Sequence, residues 1–369
     1  MLPVVAIFVR NDFHEKRGGD NFQIEQYIED ESEFEFKVIR LIDLSGVDLN
    51  EFSLFAITNI DRCYEASEFI DHLARRQLLN RTILIPIHHD FSAIKKFYAH
   101  KFHGLRPSPF LIEKIKAVVF MRRSGKGGLA ILRHLLFSGY KRSIALALNN
   151  CAKVVCIANG EWESIKKDFS ISSENRNVAV IRNGAPDHFQ LEVPVVLRDI
   201  DVLVCGRIEE RKNQISIIHS LAESGIRLVF LGSINKNNKK FATAFLDLVS
   251  SFDNVEYVSG CPPHEVAKYY QRAKCHLSAS WFEVSSLVDI EAYFSGCSVV
   301  SSKAGYSHEI LPAPGFTTVS PHDGDSLRAT VMRAINEFEA AGPWTEREVK
   351  YSWPLARRNF NSMLTSIAK

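Results

Sequence analysis

Short runs of β-branched and apolar residues alternate with longer stretches in which apolar positions recur at helical spacing, and the pattern holds through both halves of the chain. Such alternation predicts parallel sheets covered by helices on both faces, an α/β fold class. In the amino-terminal half the predicted strands are Val4–Arg10, Phe36–Leu41, Leu54–Ile60, Thr82–His88, Val154–Ala158 and Val178–Ile181, with a long basic and apolar helical region between the fourth and fifth. A looser stretch, Pro186–Arg198, carries two prolines and reads as a linker. Beyond it the predicted strands are Asp199–Cys205, Arg227–Leu231, Val255–Val258, Cys275–Ala279, Ser298–Ser302 and Thr317–Ser320. Helices are predicted over Gln214–Glu223, Lys239–Ser251, Pro263–Arg272, Ser286–Ser295 and Asp325–Ala341. The last segment, Thr345–Ala368, is helical in composition with a predicted break near Pro354. The division that follows is a first domain over 1–190, a second over 191–344, and a closing helix in 345–369 that packs back towards the first domain.

Composition agrees with two domains of ordinary size. The chain has 369 residues, 46% of them hydrophobic and 24% charged, the balance of a globular protein rather than a disordered one. Seven cysteines (Cys63, Cys151, Cys156, Cys205, Cys261, Cys275, Cys297) are odd in number and never form Cys-x-x-Cys, so neither a disulfide framework nor a structural zinc site is expected. A reducing, cytoplasmic compartment fits. The apolar opening Leu2–Val9 lacks a basic leader and reads as a first strand, not a signal peptide. No apolar run approaches the roughly 18–20 residues of a spanning helix. The acidic run Glu29–Glu35 reads as a solvated helix end or loop.

Candidate chemistry concentrates after two strands of the second half. Cys205-Gly206-Arg207-Ile208-Glu209-Glu210-Arg211-Lys212-Asn213 lies between a strand and a helix, at the carboxyl end of a sheet where ligands bind. Gly206 permits a tight turn, and Arg207 and Lys212 are suited to a diphosphate: guanidinium chelates phosphate oxygens and ammonium adds a point charge. Taken alone this is also the pattern of a charged surface loop. Ser280-Trp281-Phe282-Glu283-Val284-Ser285-Ser286-Leu287-Val288-Asp289-Ile290-Glu291 follows another strand and enters a helix. Glu283 falls in the turn and Glu291 a turn and a half into the helix, so one can reach a sugar and the other a ribose. Ser285 or Ser286 can cap that helix, whose first amides, with Leu287 among them, form an anion site.

This second segment resembles the signature of the retaining glycosyltransferases of family 4, which have the GT-B fold of two Rossmann-like domains facing across a cleft. Gly305-Tyr306-Ser307-His308-Glu309 resembles the family's Gly-Gly-x-Pro-Glu loop, with His308 in place of proline, and Ile181-Arg182-Asn183-Gly184 resembles its Pro-Asn-Gly turn. The family's mid-signature glycine is replaced by Ser285-Ser286. The resemblance covers about residues 150–335 and is weaker before them. It implies that Glu283 contacts sugar hydroxyls, Glu291 the ribose, and Arg207 with Lys212 the diphosphate of a nucleotide sugar, with no essential metal or other cofactor. It also assigns the first domain to the acceptor.

In the first half, Arg17-Gly18-Gly19-Asp20-Asn21 is similar to the glycine turn with which that family approaches its donor, which makes Gly19 a donor-site candidate; a plain turn explains it equally well. Ile85-Pro86-Ile87-His88-His89-Asp90 ends a predicted strand where family members often carry a histidine near the reacting sugar. His89 is the candidate, with a structural histidine as the alternative. From Lys95 to Arg142 there are twelve Lys or Arg residues against the single acid Glu113, interleaved with apolar side chains. Lys95, Lys96, Arg122 and Arg123 mark an expected acceptor or membrane side, since a basic amphipathic surface suits anionic lipid. A core helix with solvated cations is the plainer reading, and no nucleic-acid module accompanies the charge.

The implied reaction moves a sugar from a nucleoside diphosphate to a hydroxyl of a glycan or lipid-linked acceptor, with retention inherited from the resemblance, in bacterial surface polysaccharide or lipopolysaccharide synthesis at the cytoplasmic membrane face. A non-catalytic GT-B subunit, a sugar-nucleotide epimerase and a phosphorylase stay open. A dehydrogenase is disfavoured, because no Gly-x-Gly-x-x-Gly follows a strand.

Overall fold

The computed structural model of the chain describes all residues except 1, 17, 30–32, 124–127, 173–176, 186–188, 190–196, 236, 345–350 and 369. Arg17, part of the acidic run 29–35, most of the linker 186–198 and the start of the 345–369 segment therefore lie outside the described residues. The chain forms two compact units, 1–182 with 354–369, and 183–353.

The first unit carries β1 (Val4–Val9), α1 (Gly19–Ile28), β2 (Glu35–Arg40), β3 (Leu54–Thr58), α2 (Cys63–Ala74), β4 (Thr82–Ile85), α3 (Phe91–Lys101), α4 (Pro109–Arg123), α5 (Gly128–Phe137), α6 (Tyr140–Asn150), β5 (Lys153–Cys156), α7 (Asn159–Phe169) and β6 (Val178–Val180). Its strands form one sheet, ordered β2-β1-β3-β4-β5-β6, and all pair in parallel. The central strands β1, β3 and β4 are buried along nearly their whole length, as a sheet covered on both faces requires.

The second unit carries β7 (Ile200–Cys205), α8 (Gln214–Leu221), β8 (Leu228–Leu231), α9 (Lys239–Val249), β9 (Val255–Val258), α10 (Pro263–Arg272), β10 (Ala273–Ser278), α11 (Leu287–Phe294), β11 (Ser298–Ser302), β12 (Phe316–Val319) and α12 (Gly324–Ala341). Its sheet order is β12-β11-β10-β7-β8-β9, again parallel throughout. The order reverses between β7 and β10, so the carboxyl ends of these two strands flank the crevice where open α/β sheets bind ligands. Val202, Val204, Phe230, Phe245, Leu277 and Val331 fill its core.

The closing helix, α13 (Trp353–Ala368), joins the first unit, where Phe360 stacks on Tyr27 of α1 with ring centroids 4.7 Å apart and Arg357 Nε donates to the Gln26 carbonyl. Pro354 does not break this helix. It is the second residue, where a missing N–H costs nothing because no intrahelical acceptor exists for it. The predicted strand Thr82–His88 is likewise shorter: Pro86 has no N–H to give, Ile87 takes a left-handed φ of 50°, and the chain leaves the sheet after Ile85. His88 and His89 therefore sit on a loop beyond the sheet edge rather than in it.

Candidate functional site

Three loops at successive strand ends of the second unit are stitched into one structure. After β7, the chain turns at Gly206, whose φ is 142°, and Gly206 N donates to the Leu231 carbonyl. A Cβ on Gly232 would lie 2.1 Å from the Gly206 oxygen, so the close approach of these two strand ends depends on glycine at 232. The loop after β10 docks on the first by two bonds: Trp281 N donates to the Arg211 carbonyl (2.9 Å), and Arg211 Nη1 donates to the Phe282 carbonyl (3.0 Å). The loop after β11 closes on the second, since Glu283 N donates to Ala304 O (3.0 Å) and Tyr306 N to Val284 O (2.8 Å). A Cβ on Gly305 would meet Glu283 Cβ at 3.0 Å, which gives that glycine its local reason.

Glu283 is the hub. Its Oε1 accepts from Arg211 Nη1 at 2.9 Å and from Lys212 Nζ at 2.5 Å. The three side chains are 13%, 26% and 16% exposed, partly desolvated yet open to a ligand. Arg211 also donates to Glu209 Oε1 (3.1 Å), and both carboxylates hold its guanidinium charged against the cost of burial. Arg207 is more exposed, with Nη1 4.0 Å from Glu209 Oε2. Arg211, the cation that joins Lys212 on Glu283, is not among the residues the sequence marks, because the Gly206-Arg207 turn carries the plainer phosphate signal. That its loop faces the Glu283 turn is visible only in three dimensions.

Ser286 occupies the N-cap position of α11, as expected, but its hydroxyl makes no cap bond. Ser280 Oγ, Ser285 Oγ and Ser286 Oγ are buried and have no hydrogen-bond partner among the described residues. The helix start, with Leu287 as its first residue, thus presents donors that its own side chains leave unused. Glu291, further along α11, is half-buried. Burial pushes its carboxyl up to about 8, against the Tyr270 hydroxyl that donates to Oε2 at 3.4 Å.

Asp289, between the two glutamates in sequence, is fully buried and accepts from Ser301 Oγ (2.5 Å) and Ser307 Oγ (2.8 Å). It ties α11 to β11 and to the 305–309 loop. His276 Nε2 lies 3.3 Å from Asp289 Oδ1 without the alignment of a hydrogen bond. The signal for Asp289 was a carboxylate on the apolar helix face, one residue before Ile290.

In the first unit, the loop after β1 is gathered by Arg10, only 6% exposed, which donates to Asp20 Oδ2 (2.8 Å) and Asp12 Oδ1 (2.6 Å). Gly18 caps α1 and Gly19 is its first residue. After β4, His89 Nδ1 lies 2.8 Å from Asp61 Oδ2, which also accepts from His89 N (2.9 Å). His88, its neighbour, is completely buried, with Nδ1 2.5 Å from Asp61 Oδ1 and Nε2 3.1 Å from Asp168 Oδ2. Sequence reasoning singled out His89 and missed Asp61 and Asp168, which stand 28 and 79 positions away from it and meet it or its neighbour only through the fold.

Lys95 and Lys96 on α3 and Arg122 and Arg123 at the end of α4 are exposed. Large apolar side chains of the same region are exposed as well: Leu111, Ile115 and Val119, four apart along one face of α4, and Leu129, Leu132 and Leu136 on α5. A cavity of about 740 Å³ lies nearby, lined by Tyr64, Met121, His134 and Tyr140 among others, and contains none of the expected site residues. Among the described residues no helix is long and apolar enough to cross a membrane.

Residues 192–347 match the family model described as glycosyl transferases group 1. Among curated proteins, none matches the chain by sequence. Solved structures with the same fold include sucrose-phosphate synthase of Thermosynechococcus elongatus, 13% identical over 99% of this chain and 94% of that one with a TM-score of 0.65. Anabaena HepE in complex with UDP and glucose is 12% identical over 98% and 99%, also with a TM-score of 0.65. The lipopolysaccharide outer core galactosyltransferase WaaB in its apo form is 16% identical over 99% of each chain, with a TM-score of 0.55. The fold is GT-B, as expected from the signature, and fold and carboxyl-terminal domain together are those of a glycosyltransferase.

Proposed function

We propose that this chain transfers a sugar from a nucleoside diphosphate sugar to a hydroxyl of a glycan or lipid-linked acceptor, with retention and in the manner of family 4. The observation that carries the reading is Glu283 held by Arg211 and Lys212 where three strand-end loops meet, beside a helix start whose serine hydroxyls are unpaired. Lys212, Arg207 and the first amides of α11 neutralise charge that develops on the leaving diphosphate, the place where preorganised electrostatics lower a barrier most. No essential metal is invoked. Glu283 accepts from sugar hydroxyls once a phosphate draws Lys212 away, and Glu291 takes a ribose hydroxyl. By the same family analogy Gly19 and His89 serve the reaction from the first unit.

The HepE complex holds UDP and glucose, which makes UDP-sugars the first donors to test. A panel of nucleotide sugars with glycan and lipid-linked acceptors should show consumption by the wild type and a loss of about 10²-fold or more in Glu283→Ala, if a group bonded in the transition state is removed. Glu283→Ala and Lys212→Ala enzymes that transfer at the wild-type rate would sink the reading. The likeness to WaaB supports surface polysaccharide or lipopolysaccharide synthesis as the setting.

The exposed leucines of α4 and α5, among the cations Lys95, Lys96, Arg122 and Arg123, support peripheral contact with an anionic membrane on its cytoplasmic face. Flotation with anionic liposomes, abolished when those four cations are replaced by glutamate, is the expected result; equal flotation with neutral and anionic lipid would remove the membrane from the proposal.

A further inference from the structure

The two histidines that follow β4 differ in what surrounds them. His88 is 0% exposed, and both of its ring nitrogens face carboxylate oxygens: Nδ1 faces Asp61 Oδ1 at 2.5 Å and Nε2 faces Asp168 Oδ2 at 3.1 Å. A neutral imidazole would turn a lone pair against one of these acceptors. Only the doubly protonated ring satisfies both. The rings of Phe91 and Phe169, with centroids 4.8 and 5.3 Å from that of His88, line the rest of its shell. Glu161, also fully buried, binds the backbone of the same loop through His88 N (2.8 Å) and Ile157 N (2.7 Å). Asp90 and Lys167 complete the charged groups around the loop, paired with each other at 3.2 Å.

Asp61 spends its second oxygen on His89, accepting from the backbone N at 2.9 Å and facing Nδ1 at 2.8 Å. An ionised carboxylate only accepts, so Nδ1 of His89 carries the proton, and the neutral ring has its lone pair on Nε2. The backbone is built to hold this arrangement. Asn59 and Ile87 both take left-handed φ angles, 60° and 50°, a conformation that strains a β-branched residue. Between them Asn59 N donates to Ile85 O (2.9 Å) and Ile60 N to Pro86 O (2.8 Å), zipping the ends of β3 and β4 so that Asp61 lies under both imidazoles.

We propose that His88 is a positioning residue that acts through Asp61 to fix the orientation and tautomer of His89, the histidine assigned to the transfer reaction. The carboxylates raise His88 to about 9 despite its burial, and the two histidines hold Asp61 well below the usual carboxylate range against its own desolvation. A permanent buried cation thus keeps Asp61 ionised, and an ionised Asp61 keeps His89 in one tautomer. The role of His89 at the sugar rests on the proposed transfer reaction; the tautomer relay does not.

The test is nitrogen NMR of the full chain labelled with 15N histidine, assigned with single His variants. In the wild type, His88 should show two protonated nitrogens at pH 8, and His89, once neutral, should show a proton on Nδ1 alone. His88→Gln and Asp61→Asn should each convert His89 to a tautomer mixture, with circular dichroism reporting that the fold is kept. Asp61→Asn, nearly isosteric, supplies the answer if His88→Gln does not fold. A wild-type His89 protonated on Nε2, or a His89 spectrum unchanged in the folded variants, would overturn the proposal. In an active preparation the same variants should lower kcat by about ten-fold or more with donor KM little changed, as for a lost acid–base geometry. A wild type that consumes no nucleotude sugar while its nitrogen spectrum is as described would count against the transfer reaction and leave the relay standing.

Discussion

The two units place opposite ion clusters at the carboxyl ends of their sheets. In the first, one cation, His88, is sealed between two carboxylates, Asp61 and Asp168. In the second, one carboxylate, Glu283, is shared by two cations, Arg211 and Lys212, all of them partly open to solvent. On the proposed reading, the difference separates a scaffold from a receptor. A buried imidazolium has no room to change partners, whereas a carboxylate with a surplus ammonium can surrender it to an incoming diphosphate.

The largest effect that would sharpen this contrast is on stability. His88→Leu leaves two carboxylates without their buried partner and should cost about 3–5 kcal/mol, while Arg211→Leu, at a partly solvated pair, should cost about 1 kcal/mol. Denaturant unfolding of both variants checks this, and equal losses would break the comparison. Next in size, Lys212→Ala should weaken nucleoside diphosphate binding by about ten- to a hundred-fold, the worth of one charge-assisted phosphate contact. The last effect concerns pH and is read as a shift in Tm. Glu291 is raised to about 8, so the folded state binds a proton that the unfolded state releases above the ordinary carboxylate range. Its contribution to stability is therefore present at low pH and is lost as pH rises towards 8. Glu291→Gln should flatten that fall, read as a smaller drop in Tm between pH 5 and 8 than the wild type shows.

Much of this architecture was legible in the residues. The twelve strands among the described residues each overlap a run predicted from β-branched residues, most plainly β1, β3 and β4, which are buried on both faces and so are apolar along nearly their whole length. Local backbone chemistry shifted their ends: Pro86 and Ile87 cut short the strand that was read through His88, and Pro354 opened a helix it was expected to break. In the second unit the Gly206 turn and the Glu283–Glu291 spacing were visible because each lies within one continuous stretch, a turn in the first case and a loop running into α11 in the second. Arg211 was not, since its role comes from a loop 71 residues away. The same limit hid Asp61 and Asp168. A lone aspartate after a strand carries no mark of the histidine it will meet, and nothing in the sequence separates His88 from His89 by burial.

Whether the second unit's strand ends receive a nucleoside diphosphate, as proposed, is decided by titration calorimetry of the full chain with UDP, GDP, ADP and their sugars. The expected result is one site that takes at least one diphosphate, loses most of its affinity in Lys212→Ala, and keeps it in His88→Gln. A folded wild type that binds none of these diphosphates, or one whose binding survives Lys212→Ala unchanged, would contradict it.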